Sequence, residues 1–346
     1  MPINGNQRPT QRQIAAQVGV SVATVSRILN AQETKPERWA SPKTVAAIQA
    51  AAAELGYRRN ALAVGLRTQR SHTIGVLLAG LGDDPTARIV AGIDEVAREH
   101  NLTTLVTTTD DNPTLRTERT FSMLDRSVDG LIFADAHLEE SFLDQLQALN
   151  IPFTLVQRRH RHHVGVTADD LMAGTLAADH LINSGRQQLA VITAPRYMST
   201  GYERTKAYVE RVAQAGLAEP RVLETGVDVE AGRQAALILL DGQGWTPNGV
   251  FATDDSAALG AIGVFRQRGW RVPEDIAVIG CHDTPTAAAT GLSSLSTDLK
   301  AMGRRAMELL LDRFAGLEIE SERLPVSLRV RHSTDPNQPI GTTRAE

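Results

Sequence analysis
Arg27 is the one long hydrogen-bond donor on the outward side of a segment otherwise made of small and apolar residues, Ser21-Val22-Ala23-Thr24-Val25-Ser26-Arg27-Ile28-Leu29-Asn30. A guanidinium in such company is suited to grip a guanine edge or a phosphate, and Val22 and Ala23 can offer apolar contact to a thymine methyl. The segment that presents it reads as a helix. Val25, Ile28 and Leu29 share one face at helical spacing, which leaves Val22, Ala23, Thr24, Ser26 and Arg27 outward. Ser21 is placed to cap it. Ahead of it, Ile14, Ala15 and Val18 stripe a first helix that Thr10 can cap, and Gly19 accepts the left-handed backbone needed to leave that helix. Two short helices around a tight turn form the helix-turn-helix that sets a helix in the DNA major groove. The same spacing also fits an ordinary amphipathic helical hairpin.

Signals of catalysis are poor. Gly80-Leu81-Gly82 follows an apolar run, as in a dinucleotide-binding turn, but Pro85 stands at the third glycine position. His160, His162 and His163 are close enough to suggest a metal, yet Arg158, Arg159 and Arg161 lie among them. A cationic cluster repels a cation, so a solvated loop is expected there. Asp254, Asp255 and Asp283 could be imagined as acid–base partners, but no G-x-S-x-G, no H-E-x-x-H and no cysteine pair accompanies them. The expectation is a protein that is not an enzyme, with neither cofactor nor metal.

The elements around these residues divide the chain in two. Of its 346 residues, the first 70 hold ten basic and three acidic side chains, whereas the rest hold 26 basic and 37 acidic ones. A basic head on an acidic body is the charge pattern of a chain that meets phosphate at one end. The single cysteine, Cys281, excludes an internal disulfide, and the polar amino terminus lacks the apolar core of a signal peptide. No apolar run is long enough to span a membrane. These observations predict a cytoplasmic location. From residue 73 onward, strand-like runs at 73–78, 103–107, 130–133, 153–156, 189–193, 249–252 and 276–279 alternate with helical patterns, among them 173–183, 205–215, 231–240 and 257–268. Strand–helix alternation predicts an α/β body with parallel sheets, and the number of units predicts two lobes. A last helix at 302–314 and a strand at 326–330 close the fold.

Val20-Ser21 followed by Thr24-Val25-Ser26-Arg27 and Leu29-Asn30 resembles the amino-terminal signature of the LacI/GalR family of bacterial transcription repressors. The likeness continues through Leu55-Gly56-Tyr57, Asn60, Ala63 and Leu66, and then through Asp129-Gly130, Arg204, Asp255 and Val272-Pro273-Glu274-Asp275 to Arg331. It implies a helix-turn-helix head at 1–58, a hinge helix and linker at 59–72, and a periplasmic-binding-protein-like body. The body's lobes are expected at 73–160 plus 293–323 and at 161–292 plus 324–340, joined by crossovers near 157–161, 290–295 and 322–326. The implied DNA-binding residues are Ser21, Val22, Ala23, Thr24, Ser26, Arg27, Asn30, Asn60 and Leu66, with Leu66 wedging into the minor groove from a hinge that folds on DNA. Arg59 stands where the family usually has proline and Val64 where it often has a polar or basic residue. The loop 31–40 is longer than the family's by about five residues. Trp39 within it is expected in the core of the head, with the sugar-phosphate backbone as the other contact open to it. Ser41-Pro42 then caps and starts a third helix.

Carried over position by position, the effector-binding candidates are Arg158, Asp169, Asp170, Arg204, Asp254 and His282. Arginine and carboxylate together suit a polyhydroxylated ligand, while Arg88, Arg158 and Arg204 leave open an anionic one. His282 stands where the family commonly has aspartate. An imidazole titrating near neutrality predicts effector affinity that varies between about pH 5.5 and 7.5. The resemblance implies a regulator that binds double-stranded operator DNA as a homodimer or tetramer under control of a small carbohydrate. A solute-binding receptor for transport is the rival with the same body.

Overall fold
The computed structural model describes residues 9–30, 39–57, 70–242 and 245–339, with Asn30 described by its backbone alone. Asn60 and Leu66 lie outside the described residues, as do Arg59, Val64 and most of the loop 31–40. The chain divides into two units, Met1–Ser71 and His72–Glu346.

The head is built from α1 (Gln11–Val18), α2 (Val22–Asn30) and α3 (Pro42–Glu54). Thr10 and Gln13 form a reciprocal capping box at the start of α1, and Gly19 ends it in the left-handed region at φ 75°. Thr24 N–H donates to Ser21 Oγ at 3.1 Å, capping α2, and Thr44 N–H donates to Ser41 Oγ, capping α3. Ile14, Ala15, Val25, Ile28, Val45, Ile48, Ala51 and Ala52 fill the core, with Val18 and Leu29 partly buried against it. Trp39 is not among them: it is 47 % exposed, which overturns its expected place in the core.

The body holds two six-stranded sheets. The first contains β1 (Thr73–Leu78), β2 (Thr103–Thr108), β3 (Gly130–Phe133), β4 (Phe153–Val156), β5 (Gly165–Ala168) and β11 (Glu322–Leu324), ordered β11-β5-β4-β3-β1-β2. It is flanked by α4 (Asp84–Glu99), α5 (Pro113–Leu124), α6 (Phe142–Ala148) and α12 (Leu299–Phe314). The second contains β6 (Leu189–Thr193), β7 (Arg221–Glu224), β8 (Gly249–Ala252), β9 (Ala277–Cys281), β10 (Ser293–Ser296) and β12 (Ser327–Arg329), ordered β12-β10-β9-β8-β6-β7. Around it lie α7 (Asp170–Asn183), α8 (Ser199–Gln214), α9 (Val229–Leu240), α10 (Asp255–Gln267) and α11 (Pro285–Thr290). All described pairings are parallel except that of β10 with β12.

Two lobe boundaries differ from expectation. After β4 the chain turns back within its own sheet, because β5 pairs with β4 as well as with β11. The first crossover therefore follows Ala168, not the region 157–161. Strand β10 pairs with β9, so residues 293–296 belong to the second lobe and the crossover follows Ser296.

Candidate functional site
Each sheet reverses its strand order beside a central strand, at β1/β3 in the first and β6/β8 in the second. Ligands of open α/β sheets collect outside the carboxyl ends of strands at such a reversal, where the connecting loops part. The loops after both pairs meet around a cavity of about 330 Å³. Asp83, Thr86, Asp111, Gln157 and Arg158 reach it from the first lobe, and Tyr197, Thr200, Arg204, Asp228, Thr253, Asp254 and His282 from the second. Of the expected residues, Arg158, Arg204, Asp254 and His282 line it. Asp169 and Asp170 do not: Asp169 caps α7 by accepting from Met172 N–H, and Asp170 lies behind Arg204.

Arg204 is set by close packing. A Cβ on Gly174 of α7 would lie 2.1 Å from the Arg204 carbonyl oxygen, so only glycine lets α8 come this near. The guanidinium, 3 % exposed, donates to Asp170 Oδ1 at 2.7 Å, to the Thr253 carbonyl at 2.8 Å and to His282 Nε2 at 3.3 Å. Burial pushes Asp170 up to about 6 against the pull of the Arg204 charge and its hydrogen bond. Arg158 is committed too, donating to Asp111 Oδ1 at 2.6 Å. Asp111 sits far below the ordinary carboxylate range: its burial is outweighed by hydrogen bonds and charge from His137 and Arg158. Arg88 donates to the His282 carbonyl at 3.4 Å and does not line the cavity.

His282 departs from expectation in its charge. Burial, then the charges of Arg204 and Arg88, hold its pKa well below the ordinary value, so it stays neutral across the range in which it was expected to titrate. Because Nε2 accepts from Arg204, the hydrogen belongs on Nδ1. That Nδ1 is buried with no hydrogen-bond partner among the described residues, as is Thr253 Oγ1. The backbone of His282 is held at φ 101°, a conformation costly for a side-chain-bearing residue and one that persists at sites where the surroundings enforce it. Asp254 caps α10 by accepting from Ser256 N–H at 2.7 Å, with its other oxygen 3.7 Å from His282 Nε2. Burial raises Asp254 to about 7.

Sequence reasoning missed Asp83, Asp111, Tyr197 and Asp228. A usable signal existed for two of them. Asp83 and Asp228 are helix N-caps just past strand ends, and Asp83 stands two residues before Pro85 in the first turn of its helix. Tyr197 had no local signal. It reaches the cleft from the second lobe, its ring tilted 34° against that of His137 at 4.3 Å between centroids and its hydroxyl donating to Asp111 Oδ2 at 3.2 Å.

The histidine loop is also corrected. His160 and His163 are buried, with rings stacked at 4.7 Å and an interplanar angle of 28°. Arg158, Arg159 and Arg161 point away to Asp111, Glu203 and Glu139, so the loop is not a solvated cationic patch. Asp144, His160 and His163 are near enough to suggest metal ligands. Near-parallel rings, however, do not aim their in-plane lone pairs at one point. Both ring nitrogens of His160 are already engaged, Nδ1 by His162 N–H and Nε2 by the Glu140 carbonyl.

In the head, Ser21, Val22, Ala23 and Arg27 are exposed and Thr24 and Ser26 half-buried on the outer side of α2. The Arg27 guanidinium lies over the Trp39 ring, 4.6 Å from its centroid.

Residues 10–60 match the family model of bacterial regulatory proteins, lacI family, and residues 178–334 match the periplasmic binding protein-like domain. The chain is 31% identical over 345 residues to the HTH-type transcriptional regulator CelR of Thermobifida fusca, covering 94% of this chain and 98% of that protein. Among solved structures, a lac repressor dimer bound to operator and the anti-inducer ONPF matches with a TM-score of 0.85 at 25% identity, over 95% of this chain and 99% of that one. A CelR–cellobiose complex matches with a TM-score of 0.69 at 29% identity, over 94% of this chain and 100% of that one. Among the described residues, no helix is long and apolar enough to cross a membrane.

Proposed function
From the premise that this chain belongs to the LacI family of bacterial regulatory proteins, which are DNA-binding transcriptional regulators and not enzymes, we propose that it is a cytoplasmic repressor released or recruited by a small neutral carbohydrate. Two heads of a homodimer, or of a tetramer built from such dimers, each place α2 in the major groove of one half-site of a near-palindromic operator. Asn60 and Leu66 act from the hinge, with Leu66 wedged at the operator's centre. The effector enters between the lobes and changes their angle, which shifts the hinge between its paired and unpaired states.

The neutrality of the effector rests on one observation: both cavity arginines are already neutralised, Arg158 by Asp111 and Arg204 by Asp170. An incoming phosphate would compete with those carboxylates and would also face Asp83, Asp228 and Asp254. A polyol fits better. Asp254 lines the cavity and accepts from hydroxyls. A solved relative holds cellobiose, which makes glucosides the first compounds to try.

Sequencing DNA fragments retained by the full-length protein, with and without a panel of neutral and phosphorylated sugars, tests the proposal. One near-palindromic sequence, released or tightened by a neutral sugar, is expected. Retention of no common sequence would remove the repressor reading, and a response only to phosphorylated sugars would remove the neutral effector.

A further inference from the structure
We propose that Trp39 is a positioning residue for base reading: it covers one face of the Arg27 guanidinium and holds the in-plane donors of that side chain ready for the groove. The inference rests on the DNA-reading role of α2 proposed above.

Three observations carry it. The Arg27 guanidinium carbon lies over the indole, 4.6 Å from the ring centroid, which is cation–π distance. Trp39 is 47 % exposed, so burial in the head core does not account for its placement. Arg27 has no salt bridge to a carboxylate among the described residues, so the aromatic face is the contact that restrains it.

The backbone gives Trp39 a firm base. Two residues on, Ser41 caps α3, with its Oγ accepting from Thr44 N–H at 3.2 Å, and Val45 and Ile48 anchor that helix in the core. The ring thus projects from a fixed point beside the exposed end of α2. Stacking occupies the face of a guanidinium and leaves its N–H donors free in the plane, the geometry needed for a bidentate contact to guanine. An unrestrained arginine loses rotamer freedom when it docks, whereas a stacked one has lost part of it beforehand.

The test uses the full-length protein and the duplex that wild type enriches from randomised DNA. Trp39→Ala should weaken binding roughly fivefold, the scale of one cation–π contact at a partly exposed site. It should also flatten preference at the same base pair whose preference Arg27→Ala removes. Trp39→Phe should keep most of both. In an Arg27→Ala background, Trp39→Ala should have no further effect, and circular dichroism should show the same head unfolding for all variants. Additive losses in the double variant would mean that Trp39 touches DNA itself, and tighter binding by Trp39→Ala would mean that the stack holds Arg27 away from DNA. Either result overturns the inference while sparing the role of α2. If Arg27→Ala changes no base preference, the role of α2 falls and this inference falls with it.

Discussion

In the head, Arg27 is exposed over an indole ring and ion-pairs with no carboxylate among the described residues; in the body, Arg204 is 3 % exposed and locked to Asp170, Thr253 and His282. The surroundings follow the same division. The first 70 residues carry ten basic side chains against three acidic ones, whereas the rest is acidic, and its cavity arginines are each answered by a buried or half-buried carboxylate. A cation left open attracts an external polyanion, while a cation answered from within becomes a scaffold that orients neighbouring acceptors and donors. The guanidinium alone does not tell a binding contact from a strut; what decides is whether the fold supplies its counter-charge.

Salt should separate the two regions most strongly. If two heads together neutralise about six to ten phosphates, raising salt from about 50 to 200 mM should weaken operator binding by roughly 10³- to 10⁵-fold. Effector binding should change by less than about twofold, because a neutral ligand releases no counterions. Fluorescence anisotropy and calorimetry across that range measure both, and a comparable loss in the cleft would mean that the effector is anionic.

Next in size is the strut itself. Asp170→Ala leaves the Arg204 charge buried and should cost the body about 3–5 kcal/mol in urea unfolding. Pairing Arg204→Met with Asp170→Leu should recover most of it, since a buried ion pair and its apolar replacement often differ little. A cost below about 1 kcal/mol for Asp170→Ala would show that solvent reaches Arg204 and would erase the contrast with Arg27.

The smallest expected effect concerns pH. Asp254 is raised to about 7 by burial, so its carboxylate forms as pH climbs from 6 to 8. Affinity for a neutral polyol should rise several-fold over that interval, as an acceptor replaces a protonated acid. The sign for stability is opposite. Between the unfolded value near 4 and the folded value near 7, the folded state binds the extra proton, so this group's contribution to stability falls as pH rises. Asp254→Asn keeps the helix cap and should flatten both trends. His282→Asn should leave the pH profile unchanged, because His282 is neutral throughout. A profile that follows His282 would reverse this assignment.

Much of the framework was legible in the residues. The capping box at Thr10, the left-handed Gly19 and the Ser21 and Ser41 caps act within four residues of themselves, and the head they delimit has the expected form. The body helices α7, α9, α10 and α12 begin two or three residues earlier than their apolar pattern, because Asp169, Asp228, Asp254 and Asp298 cap them. Those aspartates were visible; Asp169 and Asp254 were read as ligand contacts when their first task is to satisfy a helix end. Strands β5, β7 and β10 went unread because β5 (Gly165-Val166-Thr167-Ala168) and β10 (Ser293-Ser294-Leu295-Ser296) carry no apolar run and β7 is exposed at all of its residues but Leu223.

The sequence alone determined the bipartite charge, the helix-turn-helix and the strand–helix alternation, because helical period, caps and backbone preference are local properties. Tertiary structure alone decided which charges are spent. Asp170 meets Arg204 across 34 positions, Asp111 meets Arg158 across 47, and Trp39 reaches Arg27 from a different helix's entrance. Such pairings depend on where the chain returns after whole elements have packed, and burial then multiplies the energetic consequence of each pairing made or missed.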